Sequence, residues 1–65
     1  MESPFVIFTT DQGRKVAIDA RKVFSIVEEA DHTRIDFDDD VHFEQVKESV
    51  YDVMCCINRA FKRQS

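Results

Sequence analysis

The side chains able to do chemistry in this chain are two adjacent thiols, Cys55 and Cys56, two imidazoles, His32 and His42, and an alternating acidic run, Asp36, Asp38 and Asp40. Alternate aspartates open a calcium loop of the EF-hand type, which needs glycine at its sixth position and a bidentate glutamate at its twelfth. Counted from Asp36, those places hold Val41 and Lys47, so the run reads as a solvated hairpin tip. A zinc site draws three or four ligands from short spacings. Here the thiols lie in a helical pattern far from both histidines, which read as surface groups, and no metal or other cofactor is expected. Nothing in the spacing brings Cys55 to a histidine for nucleophilic catalysis either. Gly13 is the only glycine, which leaves no phosphate-cradling loop, and a domain this short promises little room for a pocket of ~300 Å³. The reading is a chain that is not an enzyme.

The elements that must position those residues are short. Phe5 to Thr10 is β-rich, Asp11-Gln12-Gly13-Arg14 is a turn, and Lys15 to Asp19 alternates and completes a hairpin. Ala20-Arg21-Lys22 predicts a turn or a single helical loop. Val23 to Glu29, Arg34 to Phe37 and Val41 to Lys47 predict further strands, separated by Asp31-His32-Thr33 and Asp38-Asp39-Asp40. At Ser49 the period changes, and Ser49 with Asp52 resembles a capping box. Val50, Val53, Met54, Ile57 and Phe61 then follow helical spacing as an amphipathic stripe, expected to be the helix's core face. Cationic Arg59, Lys62 and Arg63 sit where they complement the helix dipole. The expected fold class is α+β. It is an antiparallel β-meander of roughly four to five short strands with one C-terminal amphipathic helix packed on one face, in a single domain over residues 1–65.

Sixty-five residues lie near the lower limit for a self-sufficient core. The net charge of −4 disfavours general affinity for nucleic acid or anionic membranes. No run approaches the ~18 apolar residues of a membrane span. Met1-Glu2-Ser3-Pro4 lacks the basic region of a secretory leader, and unpaired neighbouring cysteines suit a reducing compartment. The expected location is the cytoplasm of a bacterium, or of a cell expressing a phage gene.

Phe5-Val6-Ile7-Phe8 and Val23-Phe24-Ser25-Ile26-Val27 carry apolar side chains on both faces, and one helix covers only one of them. The nearest cover for the other face is a second copy of the chain. That predicts a homo-oligomer, a dimer in its simplest form, working as an interaction module with a further protein partner. Val6, Phe8, Val23 and Val27 fall on one face, and Phe5, Ile7, Phe24 and Ile26 on the other. The first set is assigned to the contact surface with Tyr51 and Cys55, which share a second helix line with Asn58 and Lys62. Which set meets the helix depends on strand register, which one sequence does not reveal. Cys55 on that line also raises redox-sensitive dimerisation. The alternative function is a small nucleic-acid-binding regulator that uses Arg14, Lys15, Arg21, Lys22, Arg59, Lys62 and Arg63 on phosphates.

Two stretches resemble a known family. Ile26-Val27-Glu28-Glu29-Ala30-Asp31-His32-Thr33-Arg34-Ile35 is similar to the "I-E…D-T…I" segment of the small flagellar FlbD (SwrD-like) proteins. Val46-Lys47-Glu48-Ser49-Val50-Tyr51-Asp52-Val53 is similar to their "V-K-E-S-V-x-E-V" strand-to-helix junction. The first hairpin fits as well, with threonine before Asp11-Gln12-Gly13 and Ile18-Asp19 after it. The resemblance spans residues 6 to 57, while Asp38-Asp39-Asp40 and the Cys55-Cys56 tail depart from it. It implies a flagellar accessory or motor-supporting role and brings no catalytic residue with it.

Overall fold

Gly13 sits at φ +86°, left-handed backbone that glycine adopts without a Cβ clash, and it turns the first hairpin. In the computed structural model, which describes residues 4–38 and 41–64 and only the backbone of Arg63 and Gln64, β1 (Phe5–Thr9) pairs antiparallel with β2 (Lys15–Asp19). Their register runs without a break from Phe5↔Asp19 to Thr9↔Lys15. Asp19 then caps a single 3-10 turn, Ala20–Lys22, its carboxylate accepting from Arg21 N–H at 2.9 Å. β3 (Val23–Glu28), β4 (Thr33–Phe37) and β5 (Phe43–Val46) form a second antiparallel sheet in that spatial order. The helix α1 (Val50–Gln64) starts where Ser49 Oγ accepts from Asp52 N–H at 3.1 Å, satisfying one of the donors a helix start leaves open.

The protein is α+β: among the described residues, five strands are divided between two sheets and are followed by one C-terminal α-helix. A seam joins the sheets. Thr10 bridges Val46, Lys47 N–H donates to Thr9 O at 2.8 Å, and Asp11 N–H donates to Gln45 O at 3.1 Å. Thr9 N–H is held by Glu48, both of whose carboxylate oxygens lie at 3.0 Å. The strand-to-helix junction is therefore tied to the first hairpin.

The core is Phe8, Ile18, Ala20, Ile35, Val46, Val53, Ile57 and Ala60, with Val6, Val16, Val23, Ile26, Phe37 and Cys56 packed around it. Each fully buried large side chain contributes about 1.5–3 kcal/mol over its exposed state. The helix meets the core through Val53, Cys56, Ile57 and Ala60, and packs on β1, β3 and the 3-10 turn. Met54 and Phe61, expected in the core, are 49% and 46% exposed. The apolar arc of the helix is wider than the strip the sheets cover. Ala60 is fully buried and has too little side chain to hold the backbones apart, which turns the contact line toward it and away from Met54.

The two doubly apolar strands resolve differently. In β1, strict alternation sends Val6 and Phe8 inward and leaves Phe5 and Ile7 51% and 62% exposed. In β3 the register slips between Val23 and Ser25, so that Val23 faces Phe37 and Ser25 faces Asp36. This bulge at Phe24 inserts one residue and resets the alternation. Val23 and Ile26 both pack on the core, while Phe24 is turned out at 73% exposure.

Candidate interaction surface

Phe8, placed on the contact surface by the sequence reading, is 1% exposed and belongs to the core, and Val6 and Val23 pack against that core. The outward set is instead Phe5, Ile7 and Phe24. In β1 the alternation runs in the opposite sense to the expected one, with Val6 and Phe8 facing the core, and the bulge in β3 separates the faces of Val23 and Val27. Val27 is half-buried opposite Arg34. Of the remaining two, Tyr51 is 75% exposed and Cys55 is half-buried.

Among the described residues, three apolar areas reach the surface. On the hairpin, Ile7 stands opposite the exposed Ala17, with Phe5 beside them on the same face. On the helix, Tyr51, Met54 and Phe61 form an exposed flank beside the core stripe. On the outer face of the second sheet, Ser25, Asp36 and Phe43 lie in one cross-strand row. There Phe24, Val41 and Phe43 rim a cleft of about 170 Å³, with Ser25 and Asp36 in its lining. Val41 and Phe43 were legible only as strand residues, since nothing in their spacing marks them as outward.

The polar centre of that outer face is closed on itself. Ser25 Oγ donates to Asp36 Oδ2 at 2.9 Å, and Arg34 Nη1 lies 3.1 Å from Glu29 Oε1. Arg34 Nε lies 3.2 Å from Asp36 Oδ1 without hydrogen-bond geometry, so that pair attracts as charges while the buried N–H stays unbonded. Asp36 is thus engaged with Ser25 and Arg34, Asp38 is exposed, and Asp40 lies outside the described residues. His32 Nδ1 lies 2.8 Å from Asp31 Oδ1, and that hydrogen bond, reinforced by the charge of the ring, lowers the Asp31 pKa. His42 immediately precedes β5, and both thiols are unbridged.

A groove of about 540 Å³ runs along β2, between Val16–Asp19 on one side and Lys22, Phe37, Asp38, His42 and Glu44 on the other. The expectation that so short a chain lacks room for a pocket therefore fails, because β2 and the residues of the second sheet leave an open groove between them. Asp19, at one end of the groove, accepts from Arg21 Nε at 3.1 Å and Nη2 at 3.0 Å. Those side-chain bonds first, and the Arg21 backbone N–H second, hold its carboxyl below the ordinary value.

The basic residues divide between the two ends of β2 and the helix, and the 3-10 turn that carries Arg21 and Lys22 packs against that helix. Arg14 and Lys15 stand at one end of β2, and Arg21 and Lys22 beyond its other end. Arg21 is committed to Asp19, and Lys15 Nζ donates to Thr9 Oγ1 at 2.8 Å. Arg59 and Lys62 are exposed on the helix, and the Arg63 side chain lies outside the described residues. Among the described residues no helix is long and apolar enough to cross a membrane. Comparison with family models, curated proteins and solved structures gives no match to this chain.

Proposed function

We propose that this protein is a non-enzymatic interaction module of the cytoplasm that works as a homo-oligomer, a dimer in its simplest form. The observation that carries this reading is the exposure of Phe5, Ile7, Phe24, Val41 and Phe43 at 51–75% on the outer faces of both sheets. Single exposed apolar residues are normal on a protein surface, whereas contiguous aromatic and aliphatic groups mark contact sites. Here they occur in adjacent pairs and around a cleft, while α1, the one α-helix among the described residues, packs on the other side. The polar side chains on those faces are engaged with one another, Ser25 with Asp36 and Arg34 with Glu29, which supports a binding surface over a reaction centre. The similarity of the Val46–Val53 junction to small flagellar accessory proteins gives a second protein, beyond the oligomer, as the class of partner.

Sedimentation equilibrium at micromolar concentration tests the reading. A mass that rises toward twice 7.6 kDa is expected. A folded protein that stays at one chain's mass across that range contradicts it.

A further inference from the structure

We infer that two copies join through the open edge of β2, strand against antiparallel strand, with Ala17 of each copy on the two-fold axis. The inference rests on the self-association proposed above and names its joint. Among the described residues β2 pairs with β1 alone. The parity of that pairing is fixed at both ends, by Ala20 N–H on Pro4 O at 3.0 Å and Thr10 N–H on Arg14 O at 2.7 Å. In an antiparallel pair, hydrogen-bonded and non-bonded residues alternate. Ile18 and Val16 therefore bond to β1, and the N–H and C=O groups of Lys15 and Ala17 and the N–H of Asp19 point the other way, while the Asp19 C=O opens the 3-10 turn that Asp19 caps.

The strand is complementary to itself. Placed antiparallel about Ala17, Lys15 of one copy faces Asp19 of the other, twice over, and Ala17 faces Ala17. All three are hydrogen-bonded positions on that edge, giving about four backbone hydrogen bonds, two for the Ala17 pair and one from the Asp19 N–H to the Lys15 C=O in each outer pair. On the inner face Val16 meets Ile18 of the second copy. On the outer face the exposed Ile7 and Ala17 continue into Ala17 and Ile7 across the axis. Apolar groups meet apolar groups and opposite charges meet, the pairs that stabilise sheets. A shift by one residue puts Lys15 against Ile18 and loses both charge pairs. Lys15 can keep its bond to Thr9 because an ammonium carries three donors.

The other sheet offers no equivalent. Its edge strand β3 is bulged at Phe24, a device that spoils an edge for further pairing. β2 has neither bulge nor proline, and a contact between identical edges related by a two-fold axis closes at two copies.

Three variants test the joint. Ala17→Pro removes an N–H that points away from β1, which an edge strand tolerates. It should keep the native circular dichroism and shift the sedimenting mass from two chains to one. Ala17→Cys, in a Cys55→Ser/Cys56→Ser background, places two thiols about 5.5 Å apart between Cα atoms, within disulfide range, and should give a double-mass band on oxidation. Lys15→Cys in the same background faces position 19, so it should not cross-link to itself. A wild-type monomer overturns both this inference and the self-association reading. A wild-type dimer that survives Ala17→Pro, with no cross-link through Cys at position 17, overturns the β2 joint and leaves self-association standing.

Discussion

The hairpin β1–β2 and the sheet β3–β5 are built from similar residues and finish their outer faces in different ways. In the three-stranded sheet the outward side chains include Ser25, Arg34 and Asp36: Ser25 bonds Asp36 across β3 and β4, and Arg34 attracts Asp36 along β4. Its free edge is bulged. In the hairpin the register is unbroken, Phe5 and Ile7 lie outward, and the backbone of β2 faces an open groove. An isolated two-stranded ribbon is marginal in water. This one is held by what lies beneath it and by the seam through Thr9, Thr10 and Glu48. The contrast is the reason the proposed partner contact is placed on the hairpin and not on the three-stranded sheet.

The largest expected effect comes from striking what both halves share. Ile35→Ala removes a fully buried side chain from the middle of β4, and should cost about 2–5 kcal/mol in denaturant unfolding. Ile7→Ala, on the exposed face of the hairpin, should cost no more than about 0.5 kcal/mol in dilute protein. Equal losses would erase the distinction between inner and outer faces.

Next in size is the seam. Glu48→Ala leaves Thr9 N–H without its carboxylate and should cost about 1–3 kcal/mol, with amide exchange at Thr9 and Thr10 accelerated more than at Ile35. If exchange rises evenly across both sheets, the seam is not the separate element described above. Ser49→Ala should cost about 1 kcal/mol through loss of the helix cap, read as the same drop in unfolding free energy whether or not Glu48 is intact.

The smallest effect is a pH dependence at the hairpin's far end. Hydrogen bonds from Arg21 depress the Asp19 pKa below 3.8, so the folded state favours the ionised carboxylate. Its contribution is present above the unfolded value and is lost as the pH falls through the folded one. A carboxyl-carbon titration by NMR should therefore show a midpoint under 3.8, moving up in Arg21→Gln. A midpoint at the ordinary value would remove the Asp19–Arg21 pair from the account.

Much of this was legible in the residues. Lys15–Asp19 alternates without interruption, Gly13 announces its turn, and Ser49 with the apolar period announces the helix; the strand and helix bounds follow closely. The sense of the faces was not legible. Val6 and Ile7 are alike in size and apolarity, so only contact with the rest of the fold decides which turns inward. The bulge at Phe24 carries no glycine or proline to mark it. It exists because both Val23 and Ile26 reach the core. The helix stripe continued through Met54 and Phe61 by period and size, while Ala60, at i+7 from Val53, was in period but too small to stand out beside them. Pairing of Thr10 with Val46 joins residues far apart in the chain, which local patterns do not encode.

Sedimentation equilibrium of the wild-type chain across micromolar concentrations, with Ala17→Pro beside it, tests the central claim most directly. The account predicts a wild-type mass approaching twice 7.6 kDa and a folded variant at the mass of one chain. A folded wild type that remains a single chain throughout would contradict it.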